Sequence, residues 1–397
     1  MAALFECIST LTGICQFCGL AAFSYSTSLD KWETNPSLGC ITFIFIILIT
    51  ITTAIPIIFN GSFIVYDTQD QSSPIIYNVM LATINLHAFC ALVENYSKRH
   101  HHIKLMNSFR RLEKLFNTTA NVRLKYDIIK RMFRNFQIFG CFEIFFLLAL
   151  ECFLFLNDGD QRGQFFLIVY LFPFVVSVLS YIQAIAFISL LFRNIEAFDR
   201  FTDDLETKGN ISVNRWFSTP ARFRKNTIDK CDVILLKEIY CLIFECSIII
   251  NNLTYWSLPI GLLNELFLLT FNVFWIIGSV IENSPSEIAS ILFSSVWITM
   301  TALNILFITI NCGRVRNQMS NFLYEQIAIV RTKLIELSID STDSKIKRLF
   351  DNLMLQVIQQ NISFELLDLI TIDNTLAFSI VGGTCTYVII LLQFLGV

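Results

Sequence analysis

Residues 39–60 read GCITFIFIILITITTAIPIIFN, twenty-two residues without a single Lys, Arg, Asp or Glu. A helix rising about 1.5 Å per residue needs roughly 20 apolar residues to cross about 30 Å of hydrocarbon. This run meets that length unaided. Six further stretches do the same, near 75–95, 135–157, 165–192, 258–281, 289–311 and 373–396, and none of the seven contains Lys or Arg. Composition agrees: 54% of residues are hydrophobic and 15% charged, with mean hydropathy +0.61, where soluble domains carry about a quarter charged residues. The 39 Phe exceed what one core with so few surface charges can hide, so lipid is the solvent for much of the chain. The opening segment, MAALFECISTLTGICQFCGLAAF, has no basic residue before Lys31. It reads as a retained segment at the membrane, not a cleaved leader.

The basic residues sort the loops. Segments 96–134, 193–257 and 312–372 hold 11, 9 and 7 of the 29 Lys and Arg, Lys31 precedes the first span, and only Arg162 falls in a loop on the other side. By the positive-inside rule the long basic segments are cytoplasmic. The expected fold is therefore an all-α membrane protein of seven transmembrane helices with a cytoplasmic N-terminus, an extracellular C-terminus and cytoplasmic helical extensions. G-protein-coupled receptors have the opposite orientation. The Asn60-Gly61-Ser62 sequon falls outside in this scheme and is the expected glycosylation site, whereas Asn117 and Asn210 fall inside.

The cytoplasmic segments carry structure of their own. Leu235, Ile239, Leu242, Cys246 and Ile249 recur at helical spacing within 227–257, which predicts a cytoplasmic helix leading into the fifth span. SKIKRLFDNLMLQVIQQ (344–360) is partly amphipathic. It reads either as an interfacial helix on lipid or as a helix packing against copies in other subunits.

Catalytic chemistry is missing. There is no P-loop, GxSxG or HExxH, and Cys15 and Cys18 form a lone CxxC without the second pair a zinc site needs. No enzyme activity, cofactor, metal or nucleic-acid partner is expected. His100, His101 and His102 sit in a basic segment and read as a solvated run. Glu143, Glu151 and Glu265 lie inside spans, where ionisable groups face the bundle interior, a partner or a cavity. Glu151, near the outer end of its helix, lines an outward pocket or reaches the headgroups; Glu265, near the inner end, reads as a side chain that snorkels.

Residues 355–394 read LQVIQQNISFELLDLITIDNTLAFSIVGGTCTYVIILLQF. This stretch resembles the signature end of insect gustatory receptors, a family related to insect odorant receptors: Thr386 and Tyr387, five apolar residues, then Gln393 and Phe394. Asp373 ahead of the last helix and Gly19-Leu20-x-x-Phe23 near the N-terminus also look like that family, as do the size and the inverted seven-span layout. The resemblance implies one chemoreceptor unit: a cytoplasmic segment 1–38, a ligand-binding bundle of six spans 39–311, anchor helices 312–372 and a pore helix 373–397. It implies a tetrameric ligand-gated cation channel in the plasma membrane of gustatory neuron dendrites. Partners would be a small-molecule tastant, membrane lipids, and three further copies or other gustatory receptors.

Within that scheme Thr386, Ile390, Gln393 and Val397 share a helix face (spacings of 4, 3 and 4). A ring of Gln393 amides would face water and replace part of a cation's hydration shell, and a ring of Ile390 would gate by dewetting. Phe394 belongs to the gate or to the packing beside it. The alternative is that Gln393 hydrogen-bonds a neighbouring helix in a closed bundle. Gly382 and Gly383 offer close approach between helices. Tyr77, Phe153, Tyr170, Phe174, Trp275 and Trp297 fall in the outer halves of spans two to six, where with Glu151 they would wall an amphipathic ligand. The sugar-receptor branch often has Glu after Thr-Tyr; Val388 stands here, which favours a bitter or plant-derived compound over a sugar. A receptor signalling through cytoplasmic partners is the other reading. If the topology is right, the chain expressed in cells carries a glycan at Asn60, and Asn60→Gln alone abolishes the endoglycosidase-sensitive mobility shift. A glycan at Asn117 or Asn210 would invert the topology.

Overall fold

The computed structural model describes residues 3–26, 28, 31–58, 72–120, 122, 124–158, 162–216, 230–282, 287–321, 348, 351–353, 355–356, 359–360 and 362–394. In chain order the elements are α1 (Ala3–Phe17), β1 (Phe23–Ser26), β2 (Lys31–Thr34), α2 (Pro36–Ile58), α3 (Ser72–Ser97), α4 (Arg99–Lys114), α5 (Tyr126–Asp158) and α6 (Arg162–Trp216). They continue with α7 (Lys230–Leu253), α8 (Ser257–Glu282), α9 (Glu287–Asn321), β3 (Glu365–Leu366), β4 (Ile370–Thr371) and α10 (Asn374–Phe394). The described residues of the seven apolar stretches fall in α2, α3, α5, α6, α8, α9 and α10, apart from Asp373 just ahead of α10. Four segments, Leu171–Leu205, Ser257–Val280, Ser294–Ser320 and Asn374–Gln393, are long and apolar enough to cross a membrane among the described residues.

The basic segments are more helical than their composition suggests. α5 begins at Tyr126 and α6 continues to Trp216, well past the apolar lengths, because extending an existing helix avoids the cost of a new nucleus. The helix expected within 227–257 is α7, set off from α8 by a turn at Thr254–Trp256. Of the helix expected over 344–360, the described residues Arg348, Asp351–Leu353, Leu355, Gln356 and Gln359 are helical. Two antiparallel hairpins, β1–β2 and β3–β4, were not legible in the pattern.

α6 is the centre of the bundle, with 89% of its apolar window buried. It packs against α3, α5, α7 and α9, and α8 closes the ring against α3 and α9. α10 lies outside this core, against α8 and α9, with 17% of its window buried. α1 runs along α5 and the β1–β2 hairpin covers α4. Gly19 makes the turn out of α1 with φ +77°, and its carbonyl accepts the Thr42 hydroxyl at 2.7 Å. A Cβ there would strike the Phe45 ring at 2.7 Å and the Thr42 backbone at 3.1 Å.

One carboxylate ties α3, α7 and α8 together. Glu94, 4% exposed, accepts the backbone N–H groups of Trp256 and Ser257, each at 2.8 Å. It thereby caps the N-terminus of α8 from a different helix, where negative charge opposes the positive end of the helix dipole. Lys98, four residues on, pairs with Glu94 at 2.8 Å and donates to the Asn252 carbonyl at the end of α7. The pair thus places a negative charge at one helix start and a positive charge at the adjacent helix end.

The histidine run is corrected at one position. His100 and His101 are exposed, but His102 is 3% exposed, stacked on Phe23 with ring centroids 5.6 Å apart and 5.8 Å from Phe187. The cause is the buried stripe of α4, in which His102, Leu105, Met106, Phe109 and Leu112 face inward. Burial, with smaller contributions from His101 and Lys98, pushes the His102 pKa down to about 3. The unfolded chain therefore takes up a proton that the folded chain refuses, and stability falls as pH drops below about 6.5, by about 1.4 kcal/mol per unit. Thermal unfolding of the detergent-solubilised protein between pH 7.5 and 5 should flatten in His102→Phe relative to wild type. At neutral pH, Glu94→Ala should cost about 3 kcal/mol, since it takes the acceptor from the Trp256 and Ser257 N–H groups and leaves Lys98 without its ion-pair partner. Lys98→Met should cost less, because the two backbone donors still hold the carboxylate.

Candidate pore and ligand sites

α10 starts on a cap. Asp373 Oδ1 accepts the Thr375 N–H at 2.9 Å and the Thr375 hydroxyl, and Asp373 Oδ2 pairs with Arg316 of α9 at 2.7 Å. The β3–β4 hairpin leads into this cap. Its loop places Leu367 and Asp368 at φ 52° and 58°, a left-handed conformation that side chains with a Cβ rarely adopt. Leu369 at its tip is 82% exposed.

Beyond the cap α10 is two-faced. Ile380, Thr384 and Val388 are buried against α8 and α9, while Phe378, Val381, Tyr387, Ile389 and Ile390 are exposed, Tyr387 by 54% and Ile390 by 39%. Thr386 and Gln393 are exposed too, so the described part of the stripe faces away from the bundle. The Thr386 hydroxyl bonds back to the Gly382 carbonyl at 2.9 Å, a local satisfaction that leaves it free of any other helix. Among the described residues no group of α8 or α9 hydrogen-bonds Gln393. The expected close approach at the glycines is absent within the subunit: a Cβ on Gly382 meets nothing within 4 Å, and one on Gly383 meets Leu266 at an ordinary 3.9 Å. Val388, where sugar receptors often carry Glu, points into the bundle at 5% exposure.

The aromatic candidates separate. Phe174 of α6 and Trp297 of α9 are buried and meet edge to face with centroids 5.5 Å apart, a favoured geometry for aromatic pairs. Trp275 of α8 is 44% exposed. The side chains of Tyr77, Glu151, Phe153, Tyr170 and Phe394, with Asn60 and Val397, lie outside the described residues. Glu265 does not snorkel: it is 4% exposed and reached by Asn304 at 3.5 Å. Sequence reading missed Arg316 and Glu94, whose roles depend on partners 57 and 162 residues away. The one available signal for Arg316 was a basic residue directly after the sixth apolar stretch.

A buried helical bundle with exposed apolar helix faces, and an extra helix laid on its flank, is the architecture of a multi-pass membrane protein. The chain belongs to the seven-helix chemosensory receptors: the family model described as "7tm Chemosensory receptor" matches residues 8–395. It is similar to "Putative gustatory receptor 2a" of Drosophila melanogaster, 24% identical over 261 residues, a match covering 60% of this chain and 58% of that receptor. The fold is similar to the insect olfactory receptor OR5 of Machilis hrabei, with TM-score 0.68, 13% identity and 98% of each chain covered. The same receptor in complex with eugenol gives TM-score 0.62, 12% identity and 98% coverage of each chain.

The cap makes a graded expectation. Asp373→Ala should lower stability by about 1 kcal/mol, Asp373→Asn by less because Asn still caps, and Arg316→Ala least because the pair is partly exposed. Hydrogen exchange at the first turn of α10 should follow that order.

Proposed function

We propose that this chain is a gustatory receptor acting as a ligand-gated, non-selective cation channel of the plasma membrane. Four subunits, identical or mixed with other gustatory receptors, surround a shared axis lined by residues 373–397. In this reading residues 1–38 lie in the cytoplasm, 39–311 form the ligand-binding bundle, 312–372 anchor the subunits to one another and the C-terminus is outside. The observation that carries it is α10, an apolar helix only 17% buried in its own subunit that turns Thr386, Ile390 and Gln393 outward. An exposed amide in hydrocarbon costs several kcal/mol, whereas a ring of such amides around water costs none of that and offers oxygens to a passing cation. The charge distribution supports a cytoplasmic N-terminus.

The ligand in this reading is a small bitter or plant-derived organic molecule, sensed at dendrites of gustatory neurons. The buried Phe174–Trp297 pair supports an aromatic wall in the outer half of the bundle, and the similar OR5 has been solved with eugenol. Val388, buried and apolar, supports this class over sugars.

Inside-out patches from cells expressing only this chain test the proposal, with nucleotide-free bath and eugenol, other bitter compounds or sugars in the pipette. Ligand-evoked cation currents are expected, with conductance or selectivity altered in Gln393→Ala and resting current raised in Ile390→Ala. Trp297→Ala should weaken activation at least tenfold with conductance unchanged. Currents identical in wild type and both α10 variants would move the pore elsewhere, and responses that require nucleotides would favour signalling through cytoplasmic partners.

A further inference from the structure

α5 carries a cluster of cations and a bare apolar run on one face. Ile129 and Phe133 are buried, and Gly140 lies so close to Ile182 of α6 that an added Cβ would strike it, so that side of the helix faces the protein. On the opposite side Lys130, Arg131 and Arg134 are exposed, followed by Ile138, Phe142 and Phe145 at 61%, 53% and 70% exposure. Spacings of 4, 4 and 3 from Arg134 to Phe145 keep these residues in one stripe, which runs about 16 Å along the helix axis. The three cations have no carboxylate. Lys98, Lys104, Arg111, Arg193 and Arg316 each pair with a Glu or Asp, whereas Lys130, Arg131 and Arg134 make no ion pair or hydrogen bond among the described residues. Asp127, the acidic residue of the first turn, stands three and four positions before Lys130 and Arg131 without pairing with either. The positive end of the α5 dipole adds to the same potential.

Water alone would serve three surface cations, but it does not serve the apolar half of the same face. α5 has 33 residues, about 50 Å of helix, against about 30 Å of hydrocarbon. Its apolar stretch, 135–157, holds no Lys or Arg. The hydrocarbon boundary therefore falls in the turn between Arg134 and Ile138, and the layer just beyond it is that of the lipid phosphates. A soluble anion would match the charged turn and leave Ile138, Phe142 and Phe145 bare. A phospholipid carries both matching parts in one molecule, and guanidinium groups suit its phosphate through paired N–H donors. We propose that Lys130, Arg131 and Arg134 bind the headgroup of an anionic phospholipid whose acyl chains lie along Ile138, Phe142 and Phe145. The site is on the flank of the bundle opposite the buried face of α5 and does not depend on the channel or tastant reading. Only its assignment to the cytoplasmic leaflet rests on the topology given above.

The test is thermal unfolding of the purified full-length protein in nanodiscs of phosphatidylcholine, with and without phosphatidylserine, which need no particular orientation. Wild type should gain about 2 °C in Tm from phosphatidylserine. A triple variant, Lys130→Gln, Arg131→Gln and Arg134→Gln, should lose that gain. A second triple variant, Lys31→Gln, Lys104→Gln and Arg111→Gln, removes the same charge from positions already paired with carboxylates and should keep it. All six side chains are exposed, so neither variant opens the core. No gain in wild type, or equal gains in the two triple variants, would overturn the proposal. Glycerophosphoserine or poly-glutamate added to phosphatidylcholine discs should leave the Tm unchanged. A gain from either would give the three cations to a soluble anion or an acidic protein segment, and would overturn the lipid assignment.

Discussion

Hydrocarbon offers no hydrogen bonds, so every polar group that this chain carries into the membrane must find its partner inside the protein. The bundle meets that demand largely within each helix. Asn85, Asn194, Asn272 and Asn311 each donate to the carbonyl four residues earlier, as do the hydroxyls of Thr270, Thr309 and Thr384. Helices satisfied in this way pack by shape alone, and α6, with most of its window buried, supplies the surface they share. The exceptions are then informative. Glu94 spends its carboxylate on the bare end of α8, and the Glu143–Asn304–Glu265 contact crosses three helices.

The same constraint links the helical bundle to α10. Glu94 and Lys98 fix where α7 stops and α8 starts, α8 and α9 form the floor on which α10 rests, and Arg316 of α9 holds the Asp373 cap at its start. A change among α3, α6 and α9 around Phe174 and Trp297 therefore has a short mechanical path to α10. The path runs through elements in direct contact, and the left-handed Leu367–Asp368 loop lies just ahead of the α10 cap.

Much of this was legible in the sequence, for one reason: spans are set by length and apolarity, which are local properties. The described residues of all seven stretches, apart from Asp373, lie in helices, and the shared face of Thr386, Ile390 and Gln393 on α10 follows from the 3.6-residue period. What was not legible depends on neighbours distant in the chain. Nothing near His102 announces that Phe23 and Phe187 enclose it, and nothing near Glu265 announces Asn304. Aromatics are so abundant here that Trp297, packed on Phe174, and Trp275, half exposed, look alike as letters. The β1–β2 hairpin was missed because four-residue strands carry too short a pattern to read.

The central claim is that the exposed face of α10 meets its own copies. Oxidative crosslinking in native membranes tests it most directly, with all the native cysteines, the exposed Cys40, Cys141 and Cys385 among them, first replaced by Ser. Single cysteines would then be placed at Gln393 and, as a control, at Val388. The account predicts disulfide-linked dimers from Gln393→Cys and none from Val388→Cys, which is buried against α8 and α9. Dimers from the Val388 position, or none from Gln393 in protein that still responds to ligand, would contradict it.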